Sequence, residues 1–424
     1  MIKLVLLLLA LVGASQAAPI PNKIAINQAY FQMPSYRYVS NCQDCNFTTV
    51  FTPLKNLFLI VSNTKEIFKL WMQDVSITGL SSSVRFTTSV SPIGAIFTDK
   101  TRYLVAFDLA NVTFNVLNVD VPSTVVKGSL PVVNFLSNNY PRFAHAFDMD
   151  KYFGFVWSET NVEGSSCVLR LFMNVYSKEK GTPYFINPQP LFSQTMPSLS
   201  DFLTISQIKA VYQHDIITIV WQTALGKGNS AGLREKWERI YKARYDFSDE
   251  ELIQVSNLYG PFIFLPGMES YFVLKDLVLT NSTYAIITHY CYGHSLGRSE
   301  QIAVSFGDNS PRILSYSLDA GAYYANSTYE GAESFGTDDL RVFLSRYDGG
   351  NQSDLYFKNT GNLGLNLIKA AAYGDETILM NNYYKSCQSK IDSSLYMTFP
   401  LLASNGNVVY YPILFAEPKN ETPI

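Results

Sequence analysis

The feature that most constrains this chain is a unit that recurs along its whole length: a short apolar strand, a polar turn and a second strand. The first members of these pairs lie at 57–61, 103–107, 153–157, 216–221, 284–289, 342–344 and 382–387. Their partners follow a turn later, at 67–72, 112–119, 168–175, 239–245, 301–306, 355–358 and 395–399. Helical periodicity is nearly absent. Successive units are spaced by roughly 40 to 65 residues, the length of a four-stranded propeller blade with its loops. One blade cannot bury both of its faces, whereas a closed ring of blades can, and a ring also protects strand edges. The pattern predicts an all-β chain, a single β-propeller of about seven four-stranded blades, with six or eight also compatible. A pair of β-sandwiches would also give many short strands. No Pro/Gly/Ser-rich linker divides the chain in that way, so residues 18–424 are read as one propeller domain. A ring needs a latch. The segment 23–38 and the strand at 408–415 are therefore expected in one sheet.

The N-terminus sets the compartment. Lys3 is followed by an apolar run from Leu4 to Val12, and Ser15 and Ala17 are small residues at cleavage-site spacing. Residues 1–17 read as a secretory signal peptide, too short and wrongly flanked for a stable anchor. No later run approaches the ~20 apolar residues that span a bilayer. Six Asn-x-Ser/Thr sequons agree with secretion: Asn46, Asn111, Asn281, Asn326, Asn351 and Asn420. Asn309 is excluded because Pro311 follows Ser310.

Net charge is −3, which gives no attraction to nucleic acid or anionic membrane. Its one basic stretch, from Arg234 to Arg244, is interrupted by Glu235 and Glu238 and reads as a solvated loop. Aromatic residues make up 14% and charged residues 16%, a balance that favours strands and a packed core over disorder. Five cysteines occur, Cys42, Cys45, Cys167, Cys291 and Cys387, an odd number that leaves at least one thiol without an intrachain disulfide. Cys42 and Cys45 are expected to form a local disulfide. The alternative is a link from one of them to Cys387 across the latch.

Two units share residues as well as pattern. Val220-Trp221-Gln222 is followed by a turn from Gly226 to Gly232 and then by Ile240-Tyr241-Lys242-Ala243-Arg244-Tyr245-Asp246. Val156-Trp157-Ser158 is followed by Gly164-Ser165-Ser166 and a second strand without the terminal Asp. These units resemble secreted β-propeller-like repeat proteins of the Val-Trp-Gln/Ser … Ile-Tyr-x-x-x-Tyr-Asp type. The resemblance implies surface proteins that are commonly adhesive or structural, and it transfers no catalytic residue.

No constellation for chemistry stands out. His289-Tyr290-Cys291-Tyr292-Gly293-His294 holds ligand-type side chains, but its spacing matches no closed zinc site, and Gly293 is expected to turn the chain before His294. His145 and His214 stand alone. The run from Asp348 to Asp354 resembles a calcium loop without its last acidic ligand and reads as a hairpin turn, as does Asp148-Met149-Asp150. Neither a Gly-x-Ser-x-Gly elbow nor a dinucleotide or phosphate loop is present. Tyr323-Tyr324, Tyr383-Tyr384 and Tyr410-Tyr411 offer rings for protein contacts or for stacking on sugars. The reading is a secreted, non-enzymatic glycoprotein of a surface coat, matrix or adhesion system, with no catalytic residue, cofactor or metal. It would work through protein partners or self-association. The alternative is a secreted lectin or glycoside hydrolase with acids and aromatics at the axial mouth.

Overall fold

The computed structural model describes residues 144–197, 202–226, 231–260, 262–265, 268–280, 282–294 and 297–314, together with the backbones of the strands named below. The first described strand is β1 (Tyr36–Tyr38). The first sheet is β2 (Phe47–Phe51), β3 (Leu57–Ser62), β4 (Glu66–Met72) and β5 (Leu80–Thr87). The second is β6 (Gly94–Thr98), β7 (Tyr103–Asp108), β8 (Thr113–Asn118) and β9 (Ser123–Ser129). The third is β10 (Ala144–Asp148), β11 (Tyr152–Glu163), β12 (Ser166–Ser177) and β13 (Phe192–Met196). The fourth is β14 (Leu203–Gln213), β15 (Ile216–Leu225), β16 (Ile240–Asp246) and β17 (Glu251–Tyr259), with a short helix α1 (Ala231–Trp237) between β15 and β16.

The fifth sheet has five strands: β18 (Ile263–Leu265), β19 (Met268–Leu279), β20 (Tyr284–His294), β21 (Gly297–Phe306) and β22 (Arg312–Leu314). The sixth is β23 (Ser327–Ser334), β24 (Leu340–Tyr347), β25 (Ser353–Asn359) and β26 (Leu365–Ile368). The last contains β27 (Thr377–Ile378), β28 (Ser386–Gln388), β29 (Leu395–Leu402) and β30 (Val408–Phe415). The chain is thus nearly all sheet. From the first sheet to the sixth, each is an antiparallel meander with its strands in chain order.

The strand pairs expected from sequence are the second and third strands of the four-stranded sheets, the third and fourth (β20 and β21) of the fifth sheet, and β28 and β29 as the last and shortest of them. The chain ends meet as expected. β1 pairs antiparallel with β30, setting Tyr36 opposite Tyr410 and Tyr38 opposite Val408.

The strand sequences account for the stacking. β15 reads Ile-Ile-Thr-Ile-Val-Trp-Gln-Thr, β-branched or aromatic at every position but Gln222, and is buried on both faces. Its odd positions, Ile217, Ile219 and Trp221, pack with Leu169, Leu171, Met173 and Val175 of β12. Its even position Val220 packs the other way, with Leu274 and Leu277 of β19 and Ile286 of β20. In β20 the same alternation sends Ile286 toward the fourth sheet, and Ala285 and Ile287 toward Leu340 and Val342 of the sixth. Neighbouring sheets therefore bury each other's faces, and the two-residue period of a strand decides which neighbour a residue serves. The outermost strand of the fourth sheet, β17, is largely exposed.

Two sequence expectations are corrected. The stretch from Arg234 to Arg244 is not a solvated loop: it is the end of α1 followed by β16, and Lys242 is buried. Counting charges missed this, because register places Lys242 beside Val220 on the face toward the fifth sheet. Nor does Gly293 turn the chain. β20 continues to His294, with Gly293 held in ladders opposite Glu269 and Arg298.

Candidate interaction surface

The repeat motif turns out to be framework. Trp221 lies directly opposite Tyr241 across the β15–β16 pair, the rings stacked at 5.5 Å and 19°. In the third sheet Trp157 lies opposite Phe172, stacked at 5.6 Å and 18°. In the fifth sheet His289 lies opposite Ile302 and is buried. His289 and Cys291 are buried two residues apart, and among the described residues no group of three His, Cys, Asp or Glu is placed to hold a metal. Asp246, the motif's last residue, accepts from the backbone N–H groups of Ser248 and Asp249 at 2.9 and 3.2 Å and from the Ser248 hydroxyl at 2.7 Å. These bonds, the Ser248 hydroxyl foremost, hold its carboxyl below the usual carboxylate range. In the third sheet, which lacks the Asp, Ser177 occupies the matching register, and its hydroxyl accepts from Lys180 N–H at 3.2 Å. A serine turn replaces an aspartate turn.

Gln222 ties two sheets together. Its Nε2 donates to the carbonyl of Phe272 at 3.0 Å, and its Oε1 accepts from Leu274 N–H at 2.8 Å. The amide stands in for a strand neighbour beside the β19 bulge between Leu274 and Asp276. Nearby, the buried Lys242 ammonium pairs with Asp308, whose carboxylate also accepts from Tyr284 Oη at 3.4 Å. Burial, and then the charge of Arg244, lowers the Lys242 pKa.

This frame carries an exposed apolar rim where the third and fourth sheets meet. The connection 178–191 between β12 and β13 is fixed at its base by Tyr184 N–H to the Val175 carbonyl at 2.7 Å. The fully buried Asn174 completes the anchor: its Nδ2 donates to the Phe185 carbonyl at 2.8 Å and its Oδ1 accepts from Phe185 N–H at 3.1 Å. Tyr184 then packs edge-on against Tyr152 at 5.9 Å and beside Phe247 at 5.0 Å, and its hydroxyl donates to Glu250 Oε1 at 2.9 Å. The outcome is a rigid base with apolar tips in water. Ile186 is 82% exposed and Tyr184 42%, while Ile253 and Val255 of β17 are 48% and 40% exposed. Neither the 178–191 loop nor β17 was singled out from sequence. A lone Ile among Asn and Pro, or an Ile-x-Val in a polar strand, looks no different from core until its neighbours are known.

The residues singled out from sequence are not gathered here. The signal-peptide segment, Cys42, Cys45 and the six sequon asparagines lie outside the described residues, as do Tyr323-Tyr324 and Tyr383-Tyr384. Cys167 and Cys291 are buried thiols in separate sheets. His214 is an exposed turn residue at positive φ. No described helix is long and apolar enough to cross a membrane.

Fold and surface together define a chain of four- and five-stranded antiparallel sheets whose framework is bonded from sheet to sheet. Several solved structures align with most of the chain at low identity. Sqt1 of Saccharomyces cerevisiae aligns over 91% of this chain and 100% of its own, at 11% identity and a TM-score of 0.46. The β-propeller domain of Cps50 (Swd1) from Myceliophteria thermophila aligns over 88% and 100%, at 10% identity and a TM-score of 0.42. The WD40 domain of SCAP from fission yeast aligns over 88% and 96%, at 11% identity and a TM-score of 0.37. No protein-family model matches the chain, and no curated protein matches it in sequence.

Proposed function

We propose that this chain is a secreted, N-glycosylated, single seven-bladed propeller that acts by association with protein surfaces, as part of an extracellular coat, matrix or adhesion system. The observation that carries the associative role is the exposed pair Tyr184 and Ile186 on a loop immobilised by Asn174 and Glu250, together with Ile253 and Val255 exposed on β17. Apolar side chains kept in water on a rigid support lose little entropy when a partner covers them. Supporting the ring are the order of the sheets along the chain and the β1–β30 pairing. Secretion is supported by Lys3, the run from Leu4 to Val12, and Ser15 and Ala17; glycosylation is supported by the six sequons. The residues 112–280 between Asn111 and Asn281 contain no sequon, and the exposed rim lies within that bare stretch.

The test is expression of the full chain through a eukaryotic secretory pathway. The protein should appear in the medium with Ala18 at its N-terminus and lose mass on treatment with an N-glycanase. It should elute as an oligomer or a stable complex that is weakened by Tyr184→Ser with Ile186→Ser. A strictly monomeric product that cleaves a glycan, and loses that activity when an axial Asp or Glu becomes Ala, would establish the carbohydrate-active alternative instead.

A further inference from the structure

Building on that reading, we infer that β17 is a self-association edge: two copies of this chain pair their β17 strands antiparallel about a two-fold axis at Val255. β17 closes the fourth sheet, pairing with β16 on one side and with no described strand on the other. Such an edge offers a row of N–H and C=O groups, and proteins usually block it with brevity, Lys, Pro or bulges. The other closing strands use these devices. β13, β22 and β26 have five, three and four residues, β22 also carries Arg312, β5 carries Arg85, and β9 carries Lys127. Of these devices β17 has bulges alone: at nine residues it is the longest of the closing strands and holds no Lys, Arg or Pro.

Three observations select a second copy as the occupant. First, the strand's only charge is Glu251 at its start. Antiparallel pairing about Val255 sets each Glu251 opposite Tyr259 of the other copy, so the two carboxylates stand about 27 Å apart. Second, the bulges at Ile253 and Leu258 leave a regular stretch from Gln254 to Asn257. In an antiparallel pair the two-fold axes pass through directly opposed identical residues, and Val255 lies within that stretch. Third, Val255 on the axis and Ile253 two residues from it are both exposed. The short regular stretch makes this a modest contact, suited to a reversible dimer that a multivalent coat can multiply.

The experiment uses the full-length mature glycoprotein. Light scattering across a concentration series should show a monomer–dimer equilibrium. Val255→Lys, checked for an unchanged circular dichroism spectrum, places two ammonium groups on the axis and should raise the dimer Kd about tenfold or more. Val255→Cys should give a disulfide-linked dimer under mild oxidation, because directly opposed residues fall within disulfide reach. Lys180→Cys, exposed but off the edge, should give none. Dimers that persist in Val255→Lys, or an absent Val255→Cys cross-link in a protein that still dimerises, would overturn this interface while leaving an associative role intact. A wild-type protein that is monomeric and uncomplexed throughout would overturn both.

Discussion

The side-chain amide of Gln222 in β15 accepts from the backbone N–H of Leu274 in β19 at 2.8 Å, across the boundary of two sheets. With the second bond to the Phe272 carbonyl, one amide satisfies two backbone groups of the next sheet. Replacing Gln222 by Leu keeps the volume and strands both groups in a dry interface. The expected cost is about 2–5 kcal/mol, read as a lower urea midpoint. Gln222→Glu separates the two bonds. Ionised, it loses the donor to Phe272 and buries a charge; protonated, it can accept and donate as Gln222 does. Burial raises its folded pKa above the unfolded ~4.3, so its stability is fullest below that value and is lost as pH rises. Urea melts at pH 4 and pH 7 should show the variant closer to wild type at the lower pH.

The turn after β16 gives a second expectation. Asp246→Ala removes the acceptor for Ser248 and Asp249 and should lower the unfolding midpoint; Asp246→Asn should recover part of it. The wild-type Asp has a depressed folded pKa. Its stabilisation is present above the unfolded pKa of ~3.9 and is lost as pH falls through the folded value. Asp246→Asn should therefore flatten the acid limb of the stability profile. Ser177→Ala should loosen the matching turn of the third sheet without a change in that limb.

For the Lys242–Asp308 pair, removal of the two partners should not be equivalent. Asp308→Ala leaves a buried ammonium without its carboxylate and should cost about 1–3 kcal/mol. Lys242→Met fills the same space without a charge to desolvate and should cost less, or stabilise. Thermal melts of the two single variants decide the order.

Alkali should unfold the protein through its buried phenols. Burial pushes Tyr212 and Tyr259 up to about 12, the hydrogen bond to Asp215 helping at Tyr212, and raises Tyr176 further still. The folded state then holds protons that the unfolded state releases near pH ~10, so stability falls as pH rises from about 10 through 12. Ultraviolet titration should show part of the tyrosine signal appearing together with loss of the circular dichroism spectrum. A reversible titration of every tyrosine near pH 10 in a folded protein would contradict it.

The sequence by itself determined the central strand pair of each of the first six sheets. Ile216 to Thr223 and Ile240 to Tyr245 are hairpin partners close in the chain, buried on both faces, so their composition announces them. It also determined the Trp–aromatic and Asp turn positions of the repeat, whose partners are local. The tertiary structure alone decided the rest. β10, β14 and β17 owe their burial or exposure to which sheet lies beside them, and a half-polar strand such as Glu251–Tyr259 has no pattern of its own to read. Lys242 meets Asp308 66 residues away, and Gln222 meets Leu274 across 52. A side chain's charge or amide shows what it can bond, but its partner is set by the stacking of sheets, which no local spacing encodes.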